Sequence, residues 1–125
     1  MKTKIVYSTL TGNIEKFISK LNHNNITKIE KGIRVYEPYV LIVGTINFGE
    51  VPIEVKNFLR NNYKNIIGVT GSGNRNWGKN FAVAADIISE KFSVPLLSKF
   101  ELSGNTHDVD NFIKKVEELE NEQQN

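Results

Sequence analysis

The sequence predicts a three-layer α/β fold: an open five-stranded parallel sheet of order 2-1-3-4-5 with helices on both faces. Three observations carry this. Apolar strand-like runs alternate with amphipathic helix-like segments, with no repeat and no linker. Tyr39-Val40-Leu41-Ile42-Val43 is an unbroken apolar run, as expected of a strand covered on both faces. The 125 residues suit one domain, 1–125, with a sizeable core.

Taken in order, Lys2 to Ser8 reads as a short, β-branched, buried first strand. Gly12 to Leu21 reads as a helix, because Ile14, Phe17, Ile18 and Leu21 recur at helical spacing. Asn22 to Asn25 is a polar break. Ile26 to Val35 holds two short apolar alternations parted at Lys31-Gly32, expected to form an edge strand or a bent strand pair. Pro38 punctuates before the third strand. Gly44 to Val51 is a loop, and Pro52 suits the first turn of a helix whose apolar face is Val55, Phe58 and Leu59. Asn65 to Thr70 holds the fourth strand. Gly71 to Gly78 reads as a polar, glycine-rich loop, and Phe81 to Phe92 as a helix with Phe81, Ala84, Ala85, Ile88 and Phe92 on one side. Val94-Pro95-Leu96-Leu97 opens the last strand, which runs to Phe100 or Leu102. After the turn at Ser103 to Thr106, the last helix runs from His107 to about Glu122, with Val109, Phe112, Ile113, Val116 and Leu119 as its stripe. Asn121 to Asn125 are expected to fray.

Composition narrows the function. The net charge is +2 with 24% charged residues, so a dedicated nucleic-acid binder is not expected. Without cysteine there is no thiol nucleophile, thiolate metal site or disulfide. Redox chemistry then requires a bound cofactor. No signal-peptide pattern and no membrane-length apolar run is seen, so the chain reads as cytoplasmic with no membrane role. His23 and His107 read as solvated. Asp108 and Asp110 suit a helix first turn. Asp86 reads as facing solvent or an interface, and no metal constellation is seen.

In this strand order the ligand site lies beyond the carboxyl ends of the strands, at the switch between the first and third. Three loops converge there. Ser8-Thr9-Leu10-Thr11-Gly12-Asn13 carries three hydroxyls, a glycine and an amide between a strand and a helix, and no charge. It either caps the helix or holds a phosphate on hydroxyls and backbone N–H groups. The second loop contains Thr45, Ile46, Asn47, Phe48 and Gly49. Asn47 tolerates positive φ, and Phe48 either staples the loop to the core or flanks a flat aromatic ligand. The third loop carries Gly71, Ser72, Gly73, Asn74, Trp77 and Gly78. Its asparagines could meet a heterocycle edge, and Trp77 packs on the core or forms a ligand wall or partner surface. Gly73 with Gly78-Lys79 imitates a nucleotide P-loop, but Asn80 stands where Ser or Thr must hold Mg²⁺. A receiver domain would need acidic residues at the end of the first strand, and Lys4 to Ser8 has none. A phosphate cradle, an apolar loop and a Trp-bearing loop, with neither thiol nor base, point to FMN. Its phosphate would sit at Ser8–Asn13 and its ring between the second and third loops.

The motifs Ser8-x-x-Thr11-Gly12-Asn13, Asn47-Phe48-Gly49-x-Val51-Pro52 and Gly71-Ser72-Gly73-Asn74-x-x-Trp77-Gly78 with Phe81, then Val94-Pro95 and Lys99-Phe100-Glu101-Leu102-Ser103-Gly104 with Asp108-Val109, resemble the NrdI family. These are small flavodoxin-like proteins associated with class Ib ribonucleotide reductase. The resemblance spans nearly the whole chain. It implies a flavodoxin-like fold, non-covalent FMN and a partner, the radical-bearing small subunit NrdF. It implies that reduced flavin, supplied by a reductase or other reductant, reacts with molecular oxygen, and that a superoxide-type oxidant reaches the dimanganese site of NrdF to form the tyrosyl radical. The protein would then be an activase rather than a conventional turnover enzyme. Relatives often carry glycine at the position of Asn47, where a peptide is expected to flip with flavin redox state. A general flavodoxin-type electron carrier is the alternative.

Overall fold

The computed structural model describes residues 1–9 and 11–124; Leu10 and Asn125 lie outside them. The strands are β1 (Lys4–Tyr7), β2 (Ile26–Lys28), β3 (Tyr39–Gly44), β4 (Ile66–Gly73) and β5 (Leu96–Glu101). The helices are α1 (Asn13–Ser19), α2 (Ile53–Asn62), α3 (Val83–Phe92) and α4 (Thr106–Gln124). The sheet order is β2-β1-β3-β4-β5, and every pairing is parallel. The expected topology is therefore the observed one.

Strand β3 shows why its apolar run is continuous. Tyr39, Leu41 and Val43 enter the core beneath α2 and α3, with Val55, Phe58, Ala84, Ala85 and Ile88. Val40 and Ile42 enter the opposite core beneath α1 and α4, with Phe17, Phe100, Phe112 and Val116. Alternate residues face opposite ways, so a strand covered on both faces needs apolar residues throughout. In the second core the Phe17 ring stacks on Phe100 at 3.9 Å between centroids and meets the edge of Phe112 at 5.6 Å.

Several boundaries differ from the sequence reading. The Ile26–Val35 segment yields only the three-residue β2. Beyond it the chain is irregular and is held by side-chain amides. Asn62 Oδ1 accepts from the Val35 N–H at 2.8 Å, its Nδ2 donates to the carbonyls of Ile33 and Phe58, and Asn65 donates to the Val35 carbonyl. These amides replace ladder partners for part of the segment's backbone.

Residues 71–73 are strand, not loop. Gly71, Ser72 and Gly73 pair with Lys99, Phe100 and Glu101 of β5. A backbone ladder does not depend on side chains, so it continues through the glycines. Helix α3 starts at Val83, leaving half-buried Phe81 outside it. Helix α4 extends through Gln124, beyond its expected end near Glu122. Asn105 and Asp108 start α4 with a reciprocal box, each backbone N–H donating to the other's side chain at 2.9 Å. His23 is not simply solvated, since its Nε2 lies 2.8 Å from the Thr3 carbonyl. His107 is exposed as expected. No helix among the described residues is long and apolar enough to cross a membrane.

Near its end, α4 fastens the first strand. One Glu120 oxygen accepts from the N–H groups of Lys2 and Thr3 and from the Thr3 hydroxyl, at 2.7, 2.8 and 2.7 Å. Burial alone would raise the Glu120 pKa. Hydrogen bonds from the Thr3 hydroxyl and the two N–H groups, with the N-terminal ammonium, outweigh burial and hold it below the ordinary glutamate value. A depressed folded-state pKa gives stability that is present above the unfolded value of about 4.3 and lost as pH falls through the folded one. Glu120→Gln should therefore lose roughly 1–2 kcal/mol at neutral pH. Urea titrations of both proteins from pH 7 to pH 3 should show the gap closing in acid; a gap independent of pH would contradict the assignment.

The close approach of β4 to α3 makes a second prediction. A Cβ on Gly73 would lie 2.6 Å from the Ala82 nitrogen, whereas one on Gly12 would meet nothing within 4 Å. Gly73→Ala should cost about 1–3 kcal/mol through overpacking against backbone. Gly12→Ala meets only the conformational penalty of its φ of 82°, about 1 kcal/mol. Equal losses in urea unfolding would show that the approach is not tight in solution.

Candidate functional site

The carboxyl ends of β1, β3 and β4 open into a cleft of about 220 Å³. Thr11, Asn13 and Ile14 line it from the first loop and α1; Gly44, Thr45, Asn47 and Gly49 from the second loop; and Ser72, Gly73, Asn74, Trp77, Asn80 and Ala82 from β4 and the third loop. Leu102, just past β5, completes the wall. None of these lining residues is charged. A larger depression lies between residues 29–33 and α2, away from the carboxyl edge and lined partly by Glu30, Lys31, Glu54 and Arg60.

The first loop leaves the sheet at Ser8. Its hydroxyl is buried, with the residue 2% exposed, and has no hydrogen-bond partner among the described residues. Such a group is costly in a folded protein unless a ligand or water serves it. Thr9 Oγ1 accepts the Gly12 N–H at 3.2 Å, and Gly12, at φ 82°, precedes α1 without a side-chain cap. The proposed capping by Ser8 and Thr11 is therefore not used.

The second loop is a compact turn. The Ile46 N–H donates to the Glu50 carbonyl at 3.0 Å, and the Glu50 N–H returns to Ile46 at 2.9 Å. Asn47 has φ 49°, as anticipated for this residue type, and its amide donates to Glu50 Oε2 at 3.1 Å. Thr45 Oγ1 accepts the Ala84 N–H at 2.9 Å. It serves an N-terminal donor of α3 that no local side chain caps. Phe48 is 81% exposed and is no staple onto the core. Its ring meets Trp77 edge-on, with centroids 5.7 Å apart.

The third loop comprises Asn74 and a short helical segment over Arg75–Asn80, two 3₁₀ turns parted by a kink at Gly78. Asn74 Oδ1 caps it by accepting the Asn76 N–H at 2.9 Å. Trp77 is 49% exposed and lines the cleft, so it does not pack in the core. Asn80 donates to the Phe48 carbonyl at 3.3 Å and ties the second and third loops together. Ala82 sits at φ 49° and ψ 33°, unusual for a residue with a Cβ and costing about 1–2 kcal/mol. Gly71 and Gly73 are required by this close packing: a Cβ on Gly71 would lie 2.8 Å from that of Ala85.

Of the residues singled out from sequence, Thr11, Asn13, Thr45, Asn47, Gly49, Ser72, Gly73, Asn74 and Trp77 share the cleft. Ser8, Thr9 and Gly12 lie in the loop behind it, Ile46, Phe48 and Gly78 within the flanking loops, and Gly71 beneath Ala82. Leu10 lies outside the described residues. Ile14, Gly44, Asn80, Ala82 and Leu102 were missed. Leu102 carried a legible signal, an apolar residue directly before a Ser-Gly turn. Ala82 carried none, because its role is backbone conformation. Asp86 does not merely face solvent; its carboxylate meets Lys99 Nζ at 2.5 Å.

Neutral hydroxyls, amides and a tryptophan, with a buried hydroxyl at the end of β1 that no described residue serves, suit a ligand combining an anionic group with a flat heterocycle. FMN passes this test. No group of metal ligands occurs among the described residues.

Comparison with known proteins agrees with the fold and identifies the family. The chain resembles oxidised flavodoxin 1 from Bacillus cereus, with a TM-score of 0.71 at 19% identity over 95% of this chain and 97% of that one. It also resembles a Fusobacterium nucleatum flavodoxin mutant bound to flavin mononucleotide, with a TM-score of 0.59 at 17% identity over 96% and 95%. These likenesses concern the fold. Protein NrdI of Macrococcus caseolyticus is 49% identical over 115 residues, 92% of this chain and 89% of that protein. The family described as NrdI Flavodoxin like matches residues 5–114, and the chain belongs to that family.

Proposed function

We propose that the chain binds FMN in the carboxyl-edge cleft and, once reduced, activates the NrdF subunit of class Ib ribonucleotide reductase. Membership of the NrdI family makes it the flavodoxin-type activator of that enzyme system. The cofactor, its residues and the direct partner are our reading. The observation that carries it is the buried Ser8 hydroxyl, without a hydrogen-bond partner among the described residues, behind an uncharged cleft.

Ser8, Thr9, Leu10, Thr11, Gly12 and Asn13 would hold the phosphate through hydroxyls and N–H groups. Thr45, Ile46, Asn47, Phe48 and Gly49 would flank one side of the ring. Gly71, Ser72, Gly73, Asn74, Trp77 and Gly78 would flank the other. Bound FMN would supply the electrons that convert molecular oxygen into the superoxide-type oxidant passed to the dimanganese site of NrdF. The chain's own work is positioning. Asn47 keeps a peptide in the left-handed region with little strain, so it can reorient at low cost. Phe48 and Trp77 place apolar surface at the mouth and limit water there. An external reductase or reductant completes the cycle.

Replacing Thr11 by Val together with Gly12 by Glu should abolish FMN binding while the far-ultraviolet circular dichroism stays native. Retained stoichiometric flavin would refute the phosphate site. In the unaltered protein, FMN at a hundredfold excess over its dissociation constant should add about 2.7 kcal/mol of stability.

The function itself is tested by mixing reduced, FMN-loaded protein with oxygen and the organism's manganese-loaded NrdF, then recording the electron paramagnetic resonance spectrum. A tyrosyl radical that requires all three components is expected. No radical, with efficient electron delivery to unrelated acceptors, would replace this reading with the general carrier.

A further inference from the structure

We propose that Lys99 is a positioning residue: its ammonium holds the turn from Gly78 to Ala82 in a ligand-ready shape before any ligand arrives. The inference rests on the reading that the cleft holds FMN. Lys99 lies on β5 directly beside Gly71 of β4. Its side chain is only 25% exposed. Its Nζ donates to the Phe81 carbonyl at 3.0 Å and meets the Asp86 carboxylate at 2.5 Å, and it lies 5.8 Å from the Phe81 ring centroid. One cation therefore joins the sheet, the peptide directly before Ala82, and the first turn of α3 directly after it.

That turn needs to be held. Gly78 has φ 58° and ψ −123°, and Ala82 has φ 49° and ψ 33°. Gly78 adopts its conformation freely as a glycine, but that of Ala82 is uncommon for a residue with a Cβ and persists only when the surroundings over-determine it. Ala82 and Trp77 both line the cleft, so relaxing the turn would move the wall itself. Other ties act on either side of this peptide: Thr45 Oγ1 accepts the Ala84 N–H at 2.9 Å just after it, and the Arg75 guanidinium lies over the Phe81 ring, 4.7 Å from its centroid. Glu101 Oε2 accepts the Arg75 N–H at 3.0 Å and so ties the start of the loop to β5, while the side-chain ion pair of the two, 3.7 Å apart with side chains 64% and 39% exposed, adds little. The bonds from Asn76 and Trp77 to Asn74 stay within the loop. Asn80 reaches only the second loop, which is itself exposed. The contact of Lys99 with Phe81 is a partly buried, charge-assisted bond to backbone, the stronger class.

The sole tryptophan sits beside the held segment and reports on it without any ligand. Lys99→Met keeps the aliphatic stem and removes the charge. In flavin-free protein, acrylamide quenching of Trp77 emission should rise. The FMN dissociation constant should weaken by about tenfold, with native circular dichroism. Lys99→Arg should recover much of both, and Asp86→Asn should move both in the direction of Lys99→Met. Unchanged quenching and unchanged affinity in Lys99→Met would overturn the proposal. So would a change in quenching with unchanged affinity, because the clamp would then not serve the cleft. If Lys99→Met does not fold, Asp86→Asn decides the same question by the same two readouts, since the Asp86 side chain is 44% exposed and its loss removes no core packing. If the unaltered protein takes up no FMN, the cofactor reading fails, and the quenching measurement alone decides whether Lys99 holds the turn.

Discussion

The backbone of Ala82 lies against Gly73 so closely that a side-chain carbon on Gly73 would sit 2.6 Å from the Ala82 nitrogen. Much of the site's geometry follows from this approach. It seats α3 beside the end of β4 rather than beyond it, so the chain between Asn74 and Phe81 folds back over the carboxyl edge. It brings the Ala84 N–H within 2.9 Å of the Thr45 hydroxyl, which fixes the start of the second loop. It places Asn80 within reach of the Phe48 carbonyl. Gly71 and Gly73 of β4 accordingly serve the packing of α3 first, and only Gly73 of the two also lines the cleft.

Charge is distributed to match. The residues lining the cleft are neutral, and two ion pairs flank it, Lys99 with Asp86 and Arg75 with Glu101. An anionic ligand would therefore be met by dipoles: the Ser8 and Thr11 hydroxyls, the Asn13 amide and backbone N–H groups. Dipoles fixed by the fold need no reorganisation when charge arrives and do not add a counterion's field to the ring. Such a lining suits a redox cofactor whose own charge changes, since no single charge state is tied to a fixed ion.

Strand order was legible because each strand run is short, apolar and separated by amphipathic helical spacing. The β3 run could hardly be anything but a doubly covered strand. The three converging loops followed from that order alone. Boundaries at the edges were not legible for identifiable reasons. Residues 71–73 look like loop because they are Gly-Ser-Gly, yet parallel pairing with β3 and β5 keeps them extended. The Ile26–Val35 segment looks strand-like throughout from its alternation, but beyond β2 Asn62 and Asn65, distant in sequence, take up part of its backbone. Helix α4 runs two residues past its expected end near Glu122, with Glu120 anchored close to that end on Lys2 and Thr3. Within the site, residue types that signal chemistry were found, while Ala82 and Asn80, which act through conformation and through a bond to a distant carbonyl, were not.

The second and third loops are mechanically one unit. Asn47 and Phe48 are consecutive, so any reorientation of the peptide they share displaces the groups on both sides of it. The Phe48 carbonyl is held by Asn80, and the Phe48 ring meets Trp77 at its edge. A change at Asn47 is therefore felt at two points of the Arg75–Asn80 segment, through a hydrogen bond at one residue and an aromatic contact at another. Lys99 and Asp86 then set how far that motion travels, because they fix Phe81 and the start of α3 just beyond it. A ligand that altered the second loop would thereby reshape the Trp77 wall while leaving the sheet untouched.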